Sequence, residues 1–367
     1  MNDPNGLCRV GDRWHAFYQH HPDSDVWGPM HWGHASSSDL LRWDHHPVAL
    51  APDEHGTIFS GSVVQDHDDS AGFGRGALVA LFTHHDHDHH RQHQSVAFSL
   101  DGGEQWTKYA GNPVLPGEAA DFRDPKVRRL PDGTWSMVVT LGDHLEFFES
   151  TDLLHWHGTG LFQCDLAAAC GHSTGAWECP DVVEVPDVDG GSVWLLVISV
   201  AEGGPQQRSG TMAVPGVPVD GSFEQTAAPF RMDHGPDFYA FQSFWGVAPE
   251  AIGMAWMASW DDALVVPSAG WRGVQSLPRR LTWRDGRLHQ WPAAGEWTSG
   301  LAASGVRAGV DDGVAFIERS GGWTPTYDGR YEVPLTGDGP NLVVVDHGTV
   351  EVFADGGAVT LSARVFG

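Results

Sequence analysis

The sequence predicts an all-β protein: a five-bladed β-propeller followed by a short C-terminal β-sandwich. Two observations lead there. Short β-type segments bounded by Gly, Pro and Asp recur along the whole chain, with 46 Gly and 23 Pro in 367 residues, while long stripes of helical period are absent. The second is an internal repeat. Ser37-Ser38-Asp39-Leu40-Leu41-Arg42-Trp43 returns as Ser150-Thr151-Asp152-Leu153-Leu154-His155-Trp156, and a looser copy, Ser99-Leu100-Asp101-Gly102-Gly103-Glu104-Gln105-Trp106, lies between them. In each copy a strand ends at Ser, an Asp opens a turn and a Trp begins the next strand. The spacing suits four-stranded blades rather than hairpins or βαβ units.

The strands follow from their turns. Trp14–Gln19 is entered from Gly11-Asp12, Ala77–Phe82 from Gly74-Arg75-Gly76, Trp135–Leu141 from Pro131-Asp132-Gly133, and Val193–Val200 from Gly190-Gly191. Met1 to about Pro292 leaves room for five blades. After it, Phe316–Arg319, Arg330–Leu335, Leu342–Asp346, Thr349–Phe353 and Val359–Val365 read as strands without the Ser-x-Asp…Trp signature. These make the sandwich, so the expected domains are 1–295 and 296–367.

Composition narrows the function. Apolar residues at 41% supply a packed core and exclude an intrinsically disordered chain. A net charge of −27 argues against nucleic acid and against an anionic membrane face as partners. The longest nearly apolar stretch, Val193–Ala201, is far too short to span a bilayer. Seventeen Trp against five Tyr offers flat, polar-edged surfaces that suit sugar rings and equally a large β-core. The opening MNDPNG lacks the pattern of a secretory signal, and Cys8, Cys164, Cys170 and Cys179 have neither zinc-site spacing nor disulfide density. A soluble, cytoplasmic protein with reduced thiols is the expectation. Oligomeric state is not legible.

Three acids stand in specific settings. Asn2-Asp3-Pro4-Asn5-Gly6 is a turn-forming run, Phe122-Arg123-Asp124-Pro125 sets an Arg before an Asp-Pro, and Trp177-Glu178-Cys179-Pro180-Asp181 embeds a Glu between an aromatic ring and a thiol. Each alone is an ordinary turn motif, and Cys179 reads as a small buried hydrophobe. Together they place three acids in the first, third and fourth blades. Inner strands of a propeller converge on one funnel, so the three can meet.

Here the residues resemble a family. MNDPNG at 1–6, FYQHHP at 17–22, WGPMHWGHASS at 27–37, FSGS at 59–62, FRDP at 122–125 and ECPD at 178–181 look like glycoside hydrolase family 32. DFYAFQSF at 237–244, GWRGVQSLPRRL at 270–281 and VDHGTVEVFADGG at 345–357 continue the match in order. The resemblance implies a retaining double displacement on β-linked fructofuranosides such as sucrose and short fructooligosaccharides, with no metal or other cofactor. It implies Asp3 as nucleophile, Glu178 as acid/base and Asp124 as transition-state stabiliser. Asn2, Gln19, Ser60, Arg123 and Asp124 would clasp the terminal fructose, and Trp27, Phe59 and Trp256 would form apolar walls. Burial near Trp177 should help Glu178 hold its proton, and retention calls for carboxyls roughly 5–5.5 Å apart. The family motif starts at the very first residues, so Asp3 is expected close to a fraying end.

One segment stands apart. Thr83-His84-His85-Asp86-His87-Asp88-His89-His90-Arg91-Gln92-His93 would in isolation suggest metal binding. Its place between two strands of the second blade favours a solvated polar loop near the funnel rim instead.

Overall fold

The computed structural model describes residues 1–117, 119–167, 175–204, 208–268, 270–299, 305–321 and 327–366. Blade one comprises β1 (Pro4–Val10), β2 (Arg13–His20), β3 (His31–Ser37) and β4 (Asp44–Leu50), and blade two β5 (Thr57–Asp66), β6 (Ala77–Asp86), β7 (Arg91–Ser99) and β8 (Thr107–Lys108). Blade three is β9 (Arg123–Arg129), β10 (Trp135–Thr140), β11 (Leu145–Ser150) and β12 (His157–Phe162). Blade four is β13 (Trp177–Pro186), β14 (Ser192–Val200), β15 (Gly210–Val219) and β16 (Ser222–Gln225), with the short β17 (Phe230–Arg231) also on β15. Blade five is β18 (Tyr239–Ser243), β19 (Ala251–Trp256), β20 (Arg279–Arg284) and β21 (Arg287–Pro292). All blade strands pair antiparallel in chain order.

The repeat is a capped turn. Ser37 Oγ accepts from the N–H groups of Asp39 and Leu40, and Asp39 Oδ1 accepts from those of Leu41 and Arg42. Ser150 and Asp152 reproduce the same four bonds. The Ser99–Asp101 copy keeps the scheme with Gly103, Glu104 and Gln105 as donors. Each turn joins the third strand of its blade to the fourth, so side-chain oxygens satisfy backbone groups that no strand can pair.

Apolar faces meet at the seams between blades. Phe17 and Trp32 pack on Ile58, Leu78 and Phe82; Val79 and Leu81 on Val127 and Met137; Val138 and Phe147 on Leu196 and Met212; and Leu195 and Val197 on Phe241 and Leu281. The fifth seam closes the ring, with Leu7 and Trp14 against Phe244, Ile252 and Met254. Backbone bonds reinforce it: Arg9 N–H donates to Trp245 O and Trp245 N–H to Leu7 O, both at 2.9 Å. Gln275 Nε2 donates to Asn2 O at 2.7 Å. Asp3 therefore lies on a strand start tied into blade five, against the expected fraying.

Beyond Pro292 the next described strand is β22 (Val306–Asp311), which pairs with β23 (Val314–Arg319) and β24 (Gly329–Pro334). A second sheet holds β25 (Leu342–Asp346), β26 (Thr349–Ala354) and β27 (Val359–Arg364). Ala315 and Ile317 of one sheet pack on Val350, Val352 and Leu361 of the other, which makes a sandwich. β22 was not expected, because Arg307 and Gly309 blur its alternation. The sandwich docks through buried charge: Arg279, fully buried, pairs with Asp233 at 3.0 Å and Glu351 at 2.7 Å. Gly235 is needed here, since a Cβ would lie 2.2 Å from the Ser362 backbone.

The histidine run departs from expectation. β6 continues through Asp86, and Thr83 and His84 are fully buried rather than solvated. His84 Nδ1 lies 2.7 Å from Ser95 Oγ and its Nε2 3.3 Å from Asp53 Oδ1. Only the turn at 87–90 projects, with His89 and His90 exposed. Cys8 and Cys179 are buried free thiols, and Cys170 lies outside the described residues.

Candidate active site

All five innermost strands carry a β-bulge in or just beyond the stretch that reaches the funnel. In β1 Asn5 faces Phe17 and Cys8 faces His15, so Gly6 and Leu7 oppose one residue. The same two-against-one count falls at Phe59-Ser60 in β5, Asp124-Pro125 in β9, Cys179-Pro180 in β13 and Ala240-Phe241 in β18. Gly6, Asp124, Cys179 and Ala240 take positive φ there, at 52°, 62°, 48° and 55°. Bulges re-aim side chains, and here they gather residues of several blades in one place.

A cleft of about 270 Å³ results, lined by Asn2, Asp3, Gln19, Trp27, Phe59, Ser60, Arg123, Asp124, Glu178 and Trp260. Nine of the ten residues expected at the site are among them. Trp256 is the exception. Its side chain, 4% exposed, packs at 4.9 Å on Trp260, which takes the position in the cleft, and lines instead the larger adjoining cavity that Asn2, Trp27 and Trp260 share. β19 ends at Trp256, so the ring that reaches the cleft belongs to the loop beyond it.

Asp3 is held by three donors. Asn2 Nδ2 donates to Oδ1 at 3.2 Å; Ser60 Oγ at 3.1 Å and Cys179 Sγ at 3.7 Å both reach Oδ2. Asn5, fully buried, sets Ser60 in turn: its amide nitrogen donates to Ser60 Oγ and its oxygen accepts from Gln19 Nε2, each at 3.1 Å. Burial and the charge of Glu178 push the Asp3 carboxyl up to about 6, against the pull of Asn2 and Ser60.

Asp124 is fixed through its backbone. Its N–H donates to Thr83 Oγ1 at 3.0 Å, and Thr83 donates to Gln94 Oε1 at 2.7 Å. Its Oδ2 accepts from Cys179 N–H at 2.9 Å. Burial pushes this carboxyl up to about 7; Arg123 and the Cys179 N–H hold it back, and Glu178 and Asp3 add repulsion.

Glu178 has two donors, Arg123 Nη2 at 3.1 Å on Oε1 and the Tyr239 hydroxyl on Oε2. Trp177, expected beside it, instead buries its ring in the seam between blades three and four. Arg123 also pairs with Asp121 and approaches Asp124 at 3.9 Å, so one guanidinium spans the acidic cluster. Opposite it, Phe59 stacks on His85 at 4.6 Å and meets Trp27 edge-on at 6.1 Å. The arrangement brings three carboxyls, a cation and apolar walls to one small cleft, which suits acid–base and nucleophilic chemistry on a polyhydroxylated ligand.

Residues 1–292 match the profile of the glycosyl hydrolases family 32 N-terminal domain, ending where β21 ends. The chain belongs to glycoside hydrolase family 32. It is 43% identical over 297 residues to a levanase of Bacillus subtilis, covering 77% of this chain and 42% of the levanase. To an invertase of Debaryomyces hansenii it is 38% identical over 298 residues, covering 77% and 54%. The chain thus spans about half the length of these curated relatives. A solved β-fructofuranosidase of Schwanniomyces occidentalis, complexed with fructosyl-erythritol, superposes with a TM-score of 0.90 at 27% identity, covering 100% of this chain and 89% of that one.

Within this family 32 chain, sequence reasoning missed Asn5, Thr83, Tyr239 and Trp260. Tyr239 belongs to the DFYA stretch and Asn5 to NDPNG, so both lay inside motifs already singled out. Thr83 had no signal, because it was absorbed into the histidine run.

Proposed function

We propose that the protein is a retaining β-fructofuranosidase that releases terminal fructose from sucrose and short fructooligosaccharides. One observation carries the reading: Asp3, Asp124 and Glu178, drawn from three blades, line a single cleft closed by Asn2, Ser60 and Arg123. Ionised Asp3 attacks the anomeric carbon C2 of the fructosyl unit. Glu178 passes a proton to the leaving oxygen, exchanging its contact with Tyr239 or Arg123 for the substrate. The fructosyl–Asp3 ester is then opened by water, with Glu178 as base. Asp124 accepts from fructose hydroxyls as oxocarbenium charge develops, while the Thr83 and Cys179 contacts keep its carboxylate from turning away. A cleft of about 270 Å³ holds one sugar ring, consistent with attack on a chain end. Sucrose is favoured over its phosphate by the −27 net charge. The second reading is fructosyl transfer, in which a sugar hydroxyl replaces water.

A product profile on sucrose, sucrose 6-phosphate, kestose, inulin and levan tests both readings. Glucose and fructose should appear from sucrose, and Asp3→Ala or Glu178→Gln should lose at least roughly a thousandfold in kcat. Fructoside binding without release of reducing sugar would refute hydrolysis; longer oligosaccharides as the main product would establish transfer.

A further inference from the structure

The inner strands that carry the acids run on past their bulges to a second cavity. Lys126 and Arg128 follow Asp124 on β9, Asp181 follows Glu178 on β13, and Trp245 comes just after β18; all line a cavity of about 330 Å³. A neighbouring cavity of about 430 Å³ shares Arg128, Ser136 and Trp194 with it. None of these residues reaches the acidic cleft.

Two buried side-chain atoms here, on Asp181 and Arg128, have no partner among the described residues. Asp181 is fully buried, and its Oδ2 accepts from Lys126 Nζ at 2.9 Å and Ser243 N–H at 2.6 Å, but its Oδ1 accepts from nothing among the described residues. Arg128 lays its guanidinium over Trp194 at 5.0 Å, and its buried Nε donates to nothing among the described residues. Buried polar groups without partners cost free energy, so one acceptor and one donor, both unsatisfied and both on residues that line one cavity, call for a ligand that supplies both. A hydroxyl does. The charges around the cavity balance: Lys126, Arg128 and Arg129 face Asp181, Glu184 and Glu250. An anion would meet three carboxylates and a cation three basic groups, whereas a neutral polyol meets neither penalty. Trp194, Trp245 and Phe147 supply the apolar walls on which sugar C–H faces pack.

We propose that this second cavity is a carbohydrate-binding site for one or two neutral sugar rings, separate from the acidic cleft. Arg128 donates to, and Asp181 accepts from, adjacent hydroxyls, and small movements of these two side chains open the contact. The contact area is small, so affinity for a single ring is of roughly millimolar order.

Fluorine NMR of the full chain labelled with fluorotryptophan, titrated with fructose, tests the site. The Trp194 and Trp245 signals should shift along their own saturation curve, distinct from that of Trp27 and Trp260 in the cleft. Arg128→Met should abolish the first set of shifts and leave the second, which also shows that the variant is folded. The proposal fails if Trp194 and Trp245 stay still while the cleft saturates. It fails equally if inorganic phosphate moves them and sugar does not, or if Arg128→Met leaves their shifts intact.

Discussion

Replacing Ser60 by Ala removes one of the three donors on Asp3 and probes how the nucleophile is kept ionised. The Ser60 contact is 3.1 Å, long for a hydroxyl on a carboxylate, so its worth lies at the low end of the range for charged acceptors, about 1.5 kcal/mol. A bond to the charged form lowers a carboxyl's pKa, so its loss raises it, by about one unit at 1.36 kcal/mol per unit. Asp3 should then move from about 6 to about 7, since Asn2 and Cys179 still donate. In the wild type, kcat/KM should climb with pH in two steps, near 6 for Asp3 and near 7 for Asp124. In Ser60→Ala the lower step merges with the upper. The ratio of wild-type to variant kcat/KM on sucrose should therefore be roughly tenfold larger at about pH 5 than at about pH 8. Any loss of direct sugar contact affects both ends alike. A ratio that stays flat across this range, or an acid limb that moves down, would refute the account of Asp3.

Further consequences are as direct. Asp3 sits about two units above an ordinary aspartate, so the fold favours its protonated form, and the contribution of this group to stability is full below about pH 4 and lost as pH rises through about 6. Asp3→Asn should abolish hydrolysis yet gain up to about 3 kcal/mol over wild type near pH 8 and nothing near pH 4, read as the pH dependence of the difference in Tm. Trp260→Ala should raise KM for fructosides about tenfold with little effect on folding, whereas Trp256→Ala should cost about 3–5 kcal/mol in urea unfolding. Arg279→Met strands Asp233 and Glu351 inside the propeller–sandwich junction and should destabilise by about 3–5 kcal/mol, measured in the same way.

What could be read from the sequence was whatever leaves a local signature. Ser37, Asp39, Ser150 and Asp152 bond within five residues of themselves, so their turns repeat as visible words, and blade count followed. The acids were legible because Pro4, Pro125 and Pro180 mark bulged strands beside them. Trp260 was not, because which of two nearby tryptophans faces the cleft depends on where β19 stops, a matter of pairing with β18 and β20. Thr83 was hidden for a related reason. Its value to Asp124 lies 41 residues away in sequence and exists only once blades two and three are side by side.

The five bulges have a consequence for how this scaffold changes. Side chains on a strand alternate, so one extra residue reverses the facing of everything beyond it. Each inner strand is thus written in two frames, one ending at the acidic cleft and the other, on β9 and β13, reaching the second cavity at Lys126 and Asp181. A substitution alters a letter in one frame, but removing Pro125 or Pro180 fuses the frames and restores an uninterrupted ladder. The smallest edit that would part the architecture from its chemistry is the loss of a single residue.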